Sequence, residues 1–269
     1  MACSDLAPLT ADDIPGALRL SSEAGWNQTA ADWRVFITHG ATFGVRRENA
    51  LAATAATLPY GTGFGFVSMV LVTPAQRHRG LGARLVGACI ETLRAAALTP
   101  VLDATPAGRP VYEKLGFREV YALERWEGEA SGAAAAPPPP RAEDLAPIDA
   151  AAFGADRVFL LRSFLARPGM LAVVQEDGFA LARPGFRAMQ IGPIVAGSVK
   201  HAVRLLRTLL DGMAGPVFLD IPSRWTCLAR FLEQRGFRRQ RPFTRMALAR
   251  SAPFGDASRL FAIAGPEFG

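Results

Sequence analysis

Two copies of one short pattern set the strongest limit on how this chain folds. Leu115-Gly116-Phe117-Arg118 is answered 120 residues later by Arg235-Gly236-Phe237-Arg238. Pro100-Val101-Leu102-Asp103 is answered at nearly that offset by Pro216-Val217-Phe218-Leu219-Asp220, and the same shift carries Leu71 onto Ile191. An internal repeat implies copies of one structural unit, so two domains of one fold are expected. The 269 residues are comfortable for two cores. Between the copies, residues 128–140 hold Gly128, Ser131, Gly132, five alanines and four prolines. Such a stretch offers nothing to bury, and Pro137–Pro140 reads as a stiff polyproline II spacer. The expected division is 4–127, an Ala/Pro-rich linker over 128–140, and 141–269.

Hydrophobic periodicity fills in the elements. Thr10 or Asp12 can cap a first helix with Pro15 in its first turn, and Thr29 a second carrying Trp33, Phe36 and Ile37 on one face. Thr42–Arg46 and Leu51–Leu58 read as a hairpin, and Phe64–Val72 as a buried strand. Leu81, Leu85, Val86, Cys89, Ile90 and Leu93 then recur at helical spacing. Pro100–Ala104 is a short strand, Arg109–Leu115 a short helix closed by Gly116, and Phe117–Trp126 a strand. The second half repeats this order: helices over 146–153 and 157–166, strands over 170–175, 178–183 and 189–195, a helix over 201–210, a strand over 217–221, a helix over 227–235, and a last strand. The fold class is α/β (α+β).

The stretch that carries chemistry is Arg77-His78-Arg79-Gly80-Leu81-Gly82, set between the Phe64–Val72 strand and the helix after it. Free backbone N–H groups at a helix start, a favourable dipole and two residues without Cβ make an anion site. A dinucleotide fingerprint is excluded, because the third glycine would fall at Leu85.

Composition removes other classes. The net charge of +6 is almost all arginine, Lys114 and Lys200 being the only lysines. The arginines are dispersed, without a basic run interleaved with aromatics, so no nucleic-acid partner is expected. No apolar run reaches membrane-spanning length and residues 1–13 lack a secretory block, so no membrane partner is expected either. Cys3, Cys89 and Cys227 lie far apart with no metal-like spacing, which points to a reduced, cytoplasmic, metal-free protein.

With the loop and a second motif, Val111-Tyr112-Glu113-Lys114-Leu115-Gly116-Phe117, the first half resembles the GCN5-related N-acetyltransferase (GNAT) superfamily over about residues 4–127. The loop matches the family's Arg/Gln-x-x-Gly-x-Gly/Ala pattern, with Val72-x-Pro74 ahead of it. The tandem layout, with Gly25-Trp26-Asn27-Gln28 early and Arg241-Pro242-Phe243-Thr244-Arg245-Met246 late, resembles bacterial acetyltransferases with a C-terminal YitH-type domain. The resemblance implies two tandem GNAT-like domains, each a mixed, mostly antiparallel sheet flanked by helices. It also implies acetyl-CoA as the cofactor and an N-acetyltransferase acting by direct attack of a primary amine. In that reading backbone groups at Val72 meet the pantetheine arm, and the strand there splays from Pro100–Ala104. Arg77, His78, Arg79, Gly80, Leu81, Gly82 and Ala83 hold the diphosphate, and Tyr112 protonates the departing thiolate. Thr105 contacts the arm or merely starts a turn.

Trp26 and Asn27, with Trp33, wall the acceptor pocket or pack the core, and His39 borders the acceptor side. Glu23, Asp32, His39 and Asp103 are the candidate bases. In the second half Gly197, Lys200 and Ala202 stand where Arg77, Gly80 and Gly82 stand, and Leu232 replaces Tyr112, so that domain is expected to be degenerate. The expected partner is a small-molecule amine, with the protein a monomer or homodimer. A non-catalytic acyl-CoA sensor or scaffold is the alternative.

Overall fold

A computed structural model describes residues 6–133, 138–175 and 177–269. The chain forms two compact units, the first running through Leu102 and the second from Asp103 to Gly269.

Unit 1 contains β1 (Leu6–Pro8), α1 (Ile14–Glu23), α2 (Ala30–His39), β2 (Thr42–Arg47), β3 (Ala50–Tyr60), β4 (Phe64–Val72), α3 (Leu81–Ala95) and the start of β5 (Thr99–Ala104). Its strands lie in the order β1-β2-β3-β4-β5, antiparallel except for β4 and β5. The Thr29 cap is reciprocal: Asp32 N–H donates to Thr29 Oγ1 at 3.4 Å, and Thr29 N–H to the Asp32 carboxylate at 2.7 Å. Helix α3 buries the six residues its spacing singles out, Leu81, Leu85, Val86, Cys89, Ile90 and Leu93, against β3 and β4. Full burial stabilises by about 1.5–3 kcal/mol per large apolar side chain. Close approach needs a glycine in β4, since a Cβ on Gly65 would lie 2.4 Å from Leu93 Cδ2.

Unit 2 contains α4 (Arg109–Lys114), β6 (Phe117–Ser131), α5 (Ala142–Phe153), α6 (Val158–Leu165), β7 (Leu171–Gln175), β8 (Gly178–Pro184), β9 (Met189–Val195), α7 (Val199–Asp211), β10 (Ala214–Pro222), α8 (Thr226–Gln234), β11 (Arg238–Leu248) and β12 (Leu260–Ala262). The strand order is β11-β6-β10-β9-β8-β7, with β12 on β9, and among the described residues only β9 and β10 of these run parallel. The repeat is thus visible in three dimensions. In each half, one helix joins the one parallel strand pair, β4-α3-β5 and β9-α7-β10.

The expected linker begins too early. Residues 128–131 are the end of β6, pairing from Val217↔Gly128 to Ala214↔Ser131. The glycines there serve packing: a Cβ on Gly128 would meet the Phe237 ring at 2.5 Å, and one on Gly132 the Asp211 carbonyl oxygen at 2.1 Å. Residues 134–137 of the linker, Pro137 of the expected spacer among them, lie outside the described residues.

Candidate active site

Strand β4 carries a bulge where it approaches the glycine loop. Its register with β3 shifts between Thr54 and Ala56, and Met69 takes φ +55° while remaining buried. Thr54 Oγ1 donates to the Met69 carbonyl at 2.9 Å and holds the bulge in place. A bulge twists and bends its strand. Parallel pairing with β5 runs only from Phe64↔Thr99 to Phe66↔Val101, whereas β4 stays with β3 as far as Val72. Among the described residues, β3 is the only strand paired to β4 beyond Phe66.

After Val72 the backbone makes a short turn over Pro74–Gln76, and Arg77 folds back to donate from Nε to the Val72 carbonyl at 3.2 Å. His78 takes φ +61° and Gly80 φ +76°, after which α3 begins at Leu81 and Arg84 N–H closes on Gly80 O at 3.1 Å. Arg77, His78, Arg79 and Gly80 are exposed, as is Ala83; Gly82 is half-buried and Leu81 faces the core. The first N–H groups of a helix have no partner within it. No side chain caps α3, and its first turn holds no acid. A Cβ on Gly80 would meet nothing within 4 Å, and one on Gly82 only Val72 Cγ2 at 3.9 Å. The cradle is therefore bare, with room for an anionic group on its backbone donors.

The matching end of α7 in unit 2 is finished by the chain itself. Ser198 caps it, accepting from His201 N–H at 3.3 Å. The Asp177 carboxylate lies over Gly197, whose imagined Cβ would fall 1.9 Å from Oδ2, and His201 Nδ1 stands 3.3 Å from Oδ1. Burial alone would raise the Asp177 carboxyl, but its hydrogen bonds to His201 and backbone hold it below the ordinary value. The β9–β10 pair also stops after three residues, at Ile191↔Leu219. Here β12 pairs with β9 at Ile194 and Val195, and Ile263 N–H donates to the β10 carbonyl of Asp220 at 3.0 Å. Strand and acid from unit 2 itself fill what β4 and α3 leave open.

Tyr112 is half-buried on α4 and packs edge-on against Phe117, with ring centroids 5.9 Å apart. Thr105 Oγ1 accepts from Gly108 N–H at 3.2 Å, so it starts the turn into α4. In unit 1, Trp33 is fully buried, donating from Nε1 to Ser21 Oγ at 3.0 Å. Asn27 is buried, Trp26 half-buried, and His39 exposed at the end of α2. Three of the candidate bases already have structural work. Asp32 caps α2; Glu23 pairs with Arg19 and accepts from Thr73 Oγ1 at 2.9 Å. Both Asp103 oxygens are held by Arg245 at 2.8 and 2.7 Å. Burial pushes the Asp103 carboxyl up despite that partner.

Arg245 also donates to Tyr121 Oη at 2.7 Å, and a second buried fork joins Arg125 to both Asp220 oxygens at 2.8 Å. Sequence reasoning missed these networks because the partners lie 142, 124 and 95 residues apart. The repeat was the available signal: Arg125 and Arg245 stand at its 120-residue offset, and Asp103 and Asp220 lie in its matching strands. Burial pushes the Cys89 thiol up to about 12, so it is inert. Among the described residues no helix is long and apolar enough to cross a membrane.

Comparison with known proteins matches both halves. The family model described as Acetyltransferase (GNAT) family covers residues 13–117, and that described as Acetyltransferase (GNAT) domain covers residues 145–262. The chain is 28% identical over 248 residues to the uncharacterized N-acetyltransferase YitH of Bacillus subtilis, with 87% of each chain covered. A candidate acetyltransferase of Pyrococcus horikoshii superposes with a TM-score of 0.82 at 20% identity, covering 100% of this chain and 98% of its own. A GCN5-related N-acetyltransferase from Sphaerobacter thermophilus gives 0.63 at 15% identity, covering 92% and 96%.

Proposed function

The chain belongs to the GNAT acetyltransferase family as a tandem-domain N-acetyltransferase, and from that premise we propose that it binds acetyl-CoA through the α3 cradle and acetylates a primary amine. The observation that carries the reading is the uncapped N-terminus of α3, with Gly80 in the left-handed region and open space at both glycines. A diphosphate fits such donors: backbone N–H groups from His78 to Ala83 would hold it, with Arg79 adding charge. Arg77 contributes by bracing Val72, the residue whose backbone would meet the pantetheine arm. Acetyl-CoA supplies the activated acyl group as a thioester.

The amine arrives neutral and attacks directly, so no enzyme-bound acyl group is required. Tyr112 is the proposed proton donor to the departing thiolate, and a phenol is a fair match for that task. Thr105 sets the turn that leads into the helix carrying Tyr112, and its hydroxyl is the proposed contact to the arm. Trp26, Asn27 and His39 are proposed on the acceptor side. The catalytic domain is proposed as 4–127 and the degenerate one as 141–269; both family-matched segments lie inside these limits. The proposed partner is a small-molecule amine, the proposed assembly a monomer or homodimer, and the proposed setting the cytoplasm, where the free thiols of Cys89 and Cys227 persist.

Thiol release from acetyl-CoA, followed over a panel of amines, tests the reading. Turnover with an amine and its loss in Tyr112→Phe are expected. Tight binding of coenzyme A with no turnover on any amine would replace the enzyme by a sensor.

A further inference from the structure

Unit 2 contains a stack of alternating guanidinium groups and rings that its own architecture leaves one acceptor short. Arg187 stands 5.9 Å from the centroid of Phe218, and Arg125 5.4 Å from the same ring. On its other side Arg125 is 5.5 Å from Phe243, and Arg241 covers that ring at 4.8 Å. Arg125 is neutralised by Asp220, which also accepts from Gln190 Nε2 at 3.1 Å. The other nearby carboxylate, Glu267, is bonded to Arg183 at 2.8 Å. Arg241 has neither. Its Nε is buried with no hydrogen-bond partner, and Arg241 makes no ion pair among the described residues.

The backbone aims Arg241 at this spot. The register of β11 on β6 slips between Arg239 and Arg241, which places Arg241 opposite Arg125. Bulges of this kind re-aim side chains and recur beside sites. Without the slip Arg241 would not face a second arginine. Like charges side by side, with a buried donor unmet, cost stability unless something answers them. Desolvation and the Arg125 and Arg187 charges pull the Arg241 guanidinium below its ordinary pKa, against an opposing pull from Asp220 and Glu267.

We propose that Arg241 is a binding site in unit 2 for the carboxylate of a small organic anion with an apolar body. A guanidinium fork matches a carboxylate with two parallel hydrogen bonds. Phe186, 65% exposed, precedes Arg187 in the same turn and offers apolar surface to the rest of such a ligand. The site lies wholly in unit 2 and does not depend on acetyl transfer.

Calorimetric titration of the full chain with benzoate, benzamide and inorganic phosphate, without acetyl-CoA, tests the proposal. Benzoate should bind saturably in the millimolar range or tighter, benzamide not at all, and phosphate more weakly. Arg241→Gln should weaken benzoate at least about tenfold, the loss of a charge-assisted bond. Arg241→Lys keeps the charge but loses the fork and should also weaken it. Thermal melting supplies the independent readout: an arginine kept for binding leaves R241Q as stable as the parent or more so, whereas a structural arginine lowers its melting temperature. No saturable benzoate binding, undiminished affinity in R241Q or R241K, phosphate binding tighter than benzoate, or a clear loss of stability in R241Q would each overturn the site.

Discussion

Helices α3 and α7 both follow a bulged strand and lead into a parallel partner, yet their first turns are finished in opposite ways. At α3 the donors are bare, the glycines open and the strand edge beyond Phe66 is left to β3 alone. At α7 a serine caps the turn, an aspartate supplies the negative charge, and β12 enters beside β9. The dipole at a helix N-terminus is the same in both. What differs is that α7 finds an anion within the chain, whereas the first turn of α3 holds no acid and no side-chain cap. One fold can therefore leave the start of this helix open or close it with its own side chains.

The strongest way to break this comparison is to give α3 what α7 has. Gly82→Glu adds a carboxylate to a position with space for it, and acetyl-CoA affinity should fall by roughly a hundredfold or more. Titration calorimetry reads this, and a nearly unchanged melting temperature would show the fold intact; retained affinity would mean that the bare turn is not the cradle. Tyr112→Phe comes next, lowering kcat by about a hundredfold while acetyl-CoA affinity stays within roughly twofold. Equal kcat in steady-state assays removes Tyr112 from the chemistry.

Gly80→Ala asks only about the backbone. At φ +76° a Cβ should cost about 1 kcal/mol, seen as a melting temperature lower by a few degrees. The smallest effect belongs to the internal anion of unit 2. The folded Asp177 carboxyl sits below 3.8, so its stabilising effect is present above that pH and fades as pH falls through the folded value. His201→Ala should return the Asp177 titration, followed by NMR, toward 3.8; no movement would sever His201 from the carboxylate.

Most of the elements were legible because periodicity is a local signal. All six apolar positions of α3 are buried, and each helix and strand expected in the second half forms within a few residues. The glycine loop was legible for the same reason. Its chemistry needs particular residue types at short spacing. The Met69 bulge was not, because a left-handed buried methionine has no compositional mark; Thr54 and the strand pairing impose it. Nor was the plug in unit 2, where Leu260–Ala262 meets a strand 65 residues earlier at Leu260↔Val195. The Gly-Ala-Pro stretch misled at its start because small residues suit a crowded strand as well as a free spacer. Among site residues, Trp33 shows the ambiguity of aromatics: its sequence context pointed equally to pocket and core, and it is core.

Strand β6 carries one more consequence, for where the chain divides. Its sequence belongs to the first repeat, but it lies between β11, which pairs with it from Phe117 to Glu127, and β10, which pairs with it from Leu123 to Ser131. Trp126, fully buried, sits at its middle. Cutting the gene after residue 127 would take from β10 and β11 the strand that lies between them. The sequence boundary between the repeats is therefore not where the folded chain divides, which is ahead of Asp103.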